Sequence, residues 1–165
     1  MPEELLDQEA FARDEFLPYW AELWPAATAL AEALPGRLDG IRVVELGCGL
    51  GLPSLVAAAR GADVTAVDWA EDAVVLLKRN AERNRVPLTA VVRDWREPLG
   101  QAFDLALAAD VLYERRNVEP VLARLREAGP EALVGLAGRP YEAEFLRRAG
   151  DVELVAERVV RLRSA

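Results

Sequence analysis

At 165 residues with 52% apolar side chains, the chain is long enough to bury one core without staples, and its single cysteine excludes an internal disulfide. A net charge of −8 and the absence of histidine remove histidine from acid–base and metal chemistry, and oppose a nucleic-acid partner, which needs clustered Lys and Arg. No apolar run approaches the roughly 18 residues of a membrane span, and the acidic start Met1-Pro2-Glu3-Glu4 lacks the order of a signal peptide. The expectation is one cytoplasmic domain over 1–165, with no membrane partner and no metal.

Taken in chain order, residues 3–17 read as a helix with Leu5, Leu6, Phe11, Phe16 and Leu17 as a loose apolar stripe, stopped at Pro18. After Tyr19-Trp20-Ala21-Glu22-Leu23-Trp24, a helix over 25–34 starts with Pro25 at its first position. Residues 1–35 are thus an N-terminal helical cover and 41–165 the core. Strands are expected near 41–46, 63–68, 88–93, 103–109 and 131–137, with helices near 52–60, 70–84, 116–128 and 140–149. The 70–84 helix sets Val74, Leu77 and Ala81 on one face and Lys78, Arg79, Glu82 and Arg83 outward. The next sets Val118, Val121, Leu122 and Leu125 at i, i+3, i+4, i+7. Such alternation predicts an α/β fold, a Rossmann-like, mostly parallel sheet with helices on both faces. The half-apolar run 152–162 suits an edge strand and leaves a shortened C-terminus. The pairs Arg93/Arg96 and Arg115/Arg116 read as solvated charges or as a small basic rim.

Between the first strand and its helix lies Glu45-Leu46-Gly47-Cys48-Gly49-Leu50-Gly51. Glycines at alternate positions bring bare backbone beside a ligand and adopt positive φ without strain, which points to a nucleotide-bearing cofactor. The dinucleotide spacing fails, because Leu52 stands where glycine is required counting from Gly47, and Ser54 where glycine or alanine is required counting from Gly49. Cys48 is read as a small side chain that fits the loop rather than as a catalytic thiol.

In open α/β sheets ligands gather at the carboxyl ends of the strands, and four such ends here are acidic. Glu45 ends strand one; Asp68, followed by Trp69, strand two; Asp94-Trp95 strand three; and Asp110, after Ala109, strand four. Asp68 suits the hydroxyls of a ribose, and Asp94-Trp95 an acceptor and flat wall for adenine. Each has a plainer reading: Glu45 orienting the glycine loop, Asp68 and Asp110 capping the next helix, Asp94 closing a turn, Trp95 packing the core.

With these residues the chain resembles class I, seven-stranded S-adenosylmethionine-dependent methyltransferases. The glycine loop is similar to their first motif, and Asp68 and Asp94-Trp95 to their ribose- and adenine-binding residues. Asp110-Val111-Leu112-Tyr113 resembles the Asp-x-x-Tyr motif of a protein-lysine methyltransferase group, and Tyr19 to Ala27 an aromatic motif of the same group. Within that group the chain resembles the electron-transfer-flavoprotein β-subunit lysine methyltransferases and their bacterial relatives. The resemblance implies S-adenosylmethionine as cofactor and a protein substrate. It further implies a cofactor pocket lined by Trp24, Glu45, Gly47, Cys48, Gly49, Gly51, Asp68, Trp69, Asp94, Trp95 and Ala109. Trp24 reads equally as a tryptophan packing its helix onto the sheet.

The chemistry so implied is in-line attack of a neutral amine on an electrophilic methyl group. Asp110 is expected to orient the amine and help deprotonate it, and Tyr113, on the same face if the segment is helical, to wall it. The alternatives are a small-molecule N- or O-methyltransferase, or an inactive methyltransferase-fold protein that binds the cofactor or a partner. The resembling family ends in a sixth strand and an antiparallel seventh. Here 152–162 offers one long strand or a very tight pair, so the expected fold stops short at that edge.

Overall fold

The computed structural model describes residues 19–164. The helix expected at 3–17 and its stop at Pro18 lie outside the described residues. A 3-10 turn at Tyr19–Ala21 leads to α1 (Pro25–Ala33), followed by β1 (Arg42–Leu46), α2 (Leu52–Ala59), β2 (Asp63–Asp68) and α3 (Glu71–Asn84). Then come β3 (Thr89–Val92), β4 (Leu105–Ala109), a 3-10 turn at Arg115–Asn117, α4 (Val118–Ala128), β5 (Glu131–Gly135), α5 (Glu142–Ala149), β6 (Asp151–Ala156) and β7 (Val159–Arg163).

The sheet runs β3-β2-β1-β4-β5-β7-β6. Its first five strands are parallel, and β7 is antiparallel to both β5 and β6. Strands buried on both faces show no polar alternation, because each successive residue enters a different core. Val43, Val64, Leu105, Leu107 and Leu133 pack with Leu30 of α1 and Ala57 of α2, and Ala66 and Ala90 with Val74 and Leu77 of α3. Their neighbours Val44, Leu46, Val67, Ala106, Ala108, Ala132 and Val134 pack with Val121, Leu122 and Leu125 of α4 and Phe145 of α5. Hence α1, α2 and α3 cover one face and α4 and α5 the other. On the outward side of α3, Lys78, Arg79, Glu82 and Arg83 are exposed, as the helical period requires.

Of the two forms left open for the last run, the tight pair is the one present: residues 151–163 form β6 and β7, so the sheet does not stop short at a single edge strand. The turn is the two residues Glu157-Arg158. A register shift between Leu154 and Ala156 lets β6 carry one extra residue, at Val155, against β7. The edge position falls to β6, whose Leu154 is 69% exposed, while β7 is interior and buries Val159, Val160 and Leu162.

Two backbone features place the start of α1. Pro25 holds Trp24 extended at φ −74°, ψ 141°, at the helix N-cap. Gly135, at the end of β5, leaves room that no other residue has, since a Cβ there falls 2.5 Å from the Ala26 carbonyl oxygen. Trp24 is thereby set over the carboxyl ends of β4 and β5.

Candidate active site

The carboxyl ends of β1, β2 and β4 open into a cavity of about 1,050 Å3. Trp24, Glu45, Gly47, Cys48, Gly49, Gly51, Asp68, Trp69, Asp94, Trp95, Ala109, Asp110 and Tyr113 all line it, so every residue singled out from the sequence reaches one space.

Its floor is the glycine loop, where Gly47, Gly49 and Gly51 have φ of +64°, +49° and +73°. At two of them space is as decisive as φ. A Cβ on Gly47 falls 2.7 Å from the Trp95 ring, and one on Gly51 falls 2.3 Å from Leu77. The loop is tied down by Cys48 N–H donating to the Val67 carbonyl at 3.1 Å and Gly51 N–H to that of Cys48 at 2.7 Å. The main chain of Trp20 lies over Gly49. Cys48 itself is buried, which pushes its thiol up and suits the packing role given to it.

Two buried acids brace this floor. Glu45 accepts both the N–H of Ser54, at 2.9 Å, and its hydroxyl, and so caps the first turn of α2 from the strand below. Burial pushes its carboxyl up to about 8 against those two donors. Asp68 accepts Gly49 N–H with Oδ2 and Ala70 N–H with Oδ1, both at 2.9 Å. One carboxylate thus joins the glycine loop to the entrance of α3. Burial raises it while the backbone donors oppose the shift.

At the next strand end Asp94 closes the turn to Glu97. Its carboxylate, lowered chiefly by hydrogen bonding to Arg96, takes the Arg96 N–H at 2.7 Å and the Nε at 2.9 Å. Trp95 is 9% exposed and packs T-shaped on Tyr113 with centroids 6.2 Å apart. The broader aromatic surface is Trp69, 37% exposed. The four arginines read as solvated charges or a small basic rim all have partners. Arg96 pairs with Asp94, Arg115 with Glu144 and Arg116 with Glu114, and Arg93 donates to the Pro98 and Leu99 carbonyls.

The end of β4 departs from expectation. Residues 110–114 are irregular, so Asp110 and Tyr113 are not stacked by a helical period. Asp110 is a non-glycine residue at φ +49°, with its N–H on the Gly135 carbonyl at 3.1 Å. Its carboxylate accepts Arg139 Nε and Nη2, both at 2.8 Å, in a bidentate pair. The Arg139 guanidinium also lies 5.7 Å from the centre of the Trp24 ring. Tyr113 turns to Trp95 and to the side chain of Asn117, and burial raises its phenol to about 12. Asn117 in turn donates to the Val111 carbonyl at 3.0 Å.

Arg139, Glu142, Asn117 and Ser54 escaped the sequence reading. Glu142, buried in α5, accepts Ala137 N–H at 2.7 Å and Gly138 N–H at 3.1 Å, which fixes the loop that carries Arg139. The available signal was position: Gly138-Arg139-Pro140 follows β5 as Asp110 follows β4, and strand-end logic extends to it.

Known proteins with the same pattern bear on what such a cavity does. The sequence profile of a family described as lysine methyltransferase matches residues 19–148. Electron transfer flavoprotein beta subunit lysine methyltransferase of Danio rerio is 32% identical over 142 residues, covering 80% of this chain and 55% of the relative. Protein N-lysine methyltransferase METTL21A of Mus musculus is 41% identical over 105 residues, covering 56% and 48%. The chain therefore spans about half the length of these curated relatives. Among solved structures, magnesium protoporphyrin IX methyltransferase from Synechocystis PCC 6803 with bound SAM superposes with a TM-score of 0.71. It is 20% identical and covers 85% of this chain and 78% of its own, a likeness of fold.

Proposed function

The chain belongs to the lysine methyltransferase family, and on that premise we propose that it transfers the methyl group of S-adenosylmethionine to a lysine side chain of a protein. The observation that carries this reading is the meeting, in one cavity, of the glycine loop with the segment Asp110 to Tyr113.

The residues present fit this cofactor. About 1,050 Å3 is ample for it together with an entering side chain. Bare backbone at Gly47 to Gly51 accepts its close approach, the Asp68 carboxylate faces the cavity where ribose hydroxyls are to be received, and Trp69 offers a flat surface for adenine. Trp24 and Ala109 are left for the methionine end. S-adenosylmethionine supplies a methyl group made electrophilic by its sulfonium.

The tasks that remain to the protein are to align the amine, exclude water and let the amine arrive neutral. A lysine ammonium has no lone pair, so the site must favour its deprotonated form, and walls made of Trp24, Val111 and Tyr113 do so by desolvation. With the ammonium proton given up to water before attack, the neutral amine would be held in line with the methyl group, S-adenosylhomocysteine would leave as a neutral thioether, and the methylated lysine would carry the charge. Glu22 at the cavity lining, in a chain of net charge −8, favours a cationic segment as the incoming partner.

Transfer of labelled methyl from S-adenosylmethionine into a fractionated cell extract tests the proposal, with Asp68→Ala beside the wild type. Base-stable label in a protein band, absent with the variant, is the expected result. Label confined to the small-molecule fraction overturns the lysine reading and keeps the cofactor. Cofactor binding with no label in any fraction overturns turnover itself.

A further inference from the structure

The Asp-x-x-Tyr resemblance casts Asp110 as the group that meets the substrate amine, yet the structure gives its carboxylate another occupation. Both oxygens receive Arg139, at 2.8 Å each, and the Asp110 side chain is only 3% exposed. Arginine stays protonated throughout the accessible pH range. For Asp110 to take a proton from an amine, that amine must reach one of the lone pairs Arg139 leaves unused, on a side chain only 3% exposed, beside a fixed guanidinium.

We infer that Arg139 is a positioning residue, that the Asp110 carboxylate exists to receive it, and that Asp110 does not take the proton of the amine. The inference rests on the methyl-transfer reading for its kinetic consequences only.

Three observations converge on it. First, Asp110 holds φ +49° without being glycine, a conformation that Asn and Asp tolerate best but still need support to keep. The support is present at both ends of the residue, with its N–H on the Gly135 carbonyl and its carboxylate on Arg139. Second, the arginine arrives from a loop that is itself fixed. Glu142 accepts Ala137 and Gly138 N–H, and Leu136 N–H donates to the Arg158 carbonyl at 2.7 Å. A guanidinium delivered from such a loop is pre-set, unlike a side chain waiting to be displaced. Third, the guanidinium lies over Trp24, so a single group ties the end of β4 to the tryptophan that opens α1. The left-handed bend sets where Val111 to Tyr113 run, and Val111 and Tyr113 line the cavity.

A cycle over Asp110→Ala, Arg139→Ala and the double variant tests this, with Asp110→Asn and Arg139→Lys as conservative controls. Asparagine tolerates positive φ, keeps one acceptor for Arg139 and has no basic oxygen. The expectation is that Asp110→Asn keeps kcat within about tenfold of wild type, with the same dependence on pH. Arg139→Ala and Asp110→Ala each lower kcat by about a hundredfold, the scale of a lost charged pair. The double variant falls no further than either, and Arg139→Lys, which lacks the fork, lies between.

An Asp110→Asn as inactive as Asp110→Ala, with one limb of the pH profile gone, makes Asp110 the base and overturns the inference. An Arg139→Ala with undiminished kcat and a lower KM for a lysine peptide also overturns it, because Arg139 then merely stands where the substrate cation goes. Cofactor affinity by calorimetry and Tm are followed over the same cycle. If the wild type binds cofactor but labels nothing, the functional reading fails alone. Non-additive losses in those two quantities still uphold the clamp, and additive ones overturn it.

Discussion

Beneath β1 and β2 the cavity wall is main chain held by buried acids, whereas beyond β4 and β5 it is side chain held by side chain. On the first side, Asp68 and Glu45 each accept two donors from Gly49, Ala70 and Ser54, so the polar bonds and the core share the same residues. On the second, Asp110, Arg139 and Glu142 join loops that no strand pairing constrains. The contrast separates two demands on one site. A wall that touches the ligand with backbone must be built into the fold, while a wall that sets a substrate's approach can be adjusted one ion pair at a time.

Substitutions on each side separate the two walls. Gly51→Ala carries the largest effect, since its Cβ meets Leu77 at 2.3 Å and its φ is +73°. We expect a loss of about 3 kcal/mol in denaturant unfolding, together with loss of cofactor binding. Glu45→Gln comes next and reads burial directly. The folded carboxyl lies near 8 against an ordinary 4.5, so the folded protein binds more protons than the unfolded chain between those values. Stability from this group is therefore complete below about pH 4.5 and is lost as pH rises through 8. The stability of Glu45→Gln relative to wild type should improve over that window, by about 5 kcal/mol at most, and level off above it. Thermal scans from pH 5 to 9 check this, and a flat difference sinks the assignment.

Asp68→Asn leaves one of the two N–H groups without an acceptor and the other with a neutral one. Cofactor affinity should fall by roughly tenfold to a hundredfold in calorimetry, with less change in Tm than for Gly51→Ala. The smallest effect belongs to the other side. Glu142→Gln weakens the hold on Ala137 and Gly138, and turnover is expected to fall by about fivefold while unfolding shifts by less than about 1 kcal/mol. If Glu142→Gln unfolds the protein as readily as Gly51→Ala, the distinction between the two walls is wrong.

The same contrast explains what could be read from the residues alone. Glycine spacing and acids at strand ends are local signals, and the glycines and acids they pick out lie along one cavity; Pro25 is another, which sets the start of α1. Asp110 and Arg139 are 29 positions apart, and nothing local in either segment announces their partner. The helical phase assumed for Asp110 and Tyr113 failed because the bend after β4 runs through positive φ, which no Asp in a sequence declares. The terminal pair was hidden for a related reason. Its turn is Glu157-Arg158, without the Gly, Asn or Asp that marks two-residue hairpins, and an extra residue on β6 blurs the alternation.

Lys78, exposed on the outer side of α3, is the one lysine in the sequence, the other basic side chains being arginine. An enzyme that modifies lysine would therefore offer itself almost no competing acceptor. Under the lysine reading, self-labelling of a side chain would have a single address, Lys78, on the outer side of the helix whose inner side packs on β2 and β3. Methyl incorporation into the enzyme's own band can then be erased by Lys78→Arg alone, which leaves whatever other proteins take up to be read against a clean background.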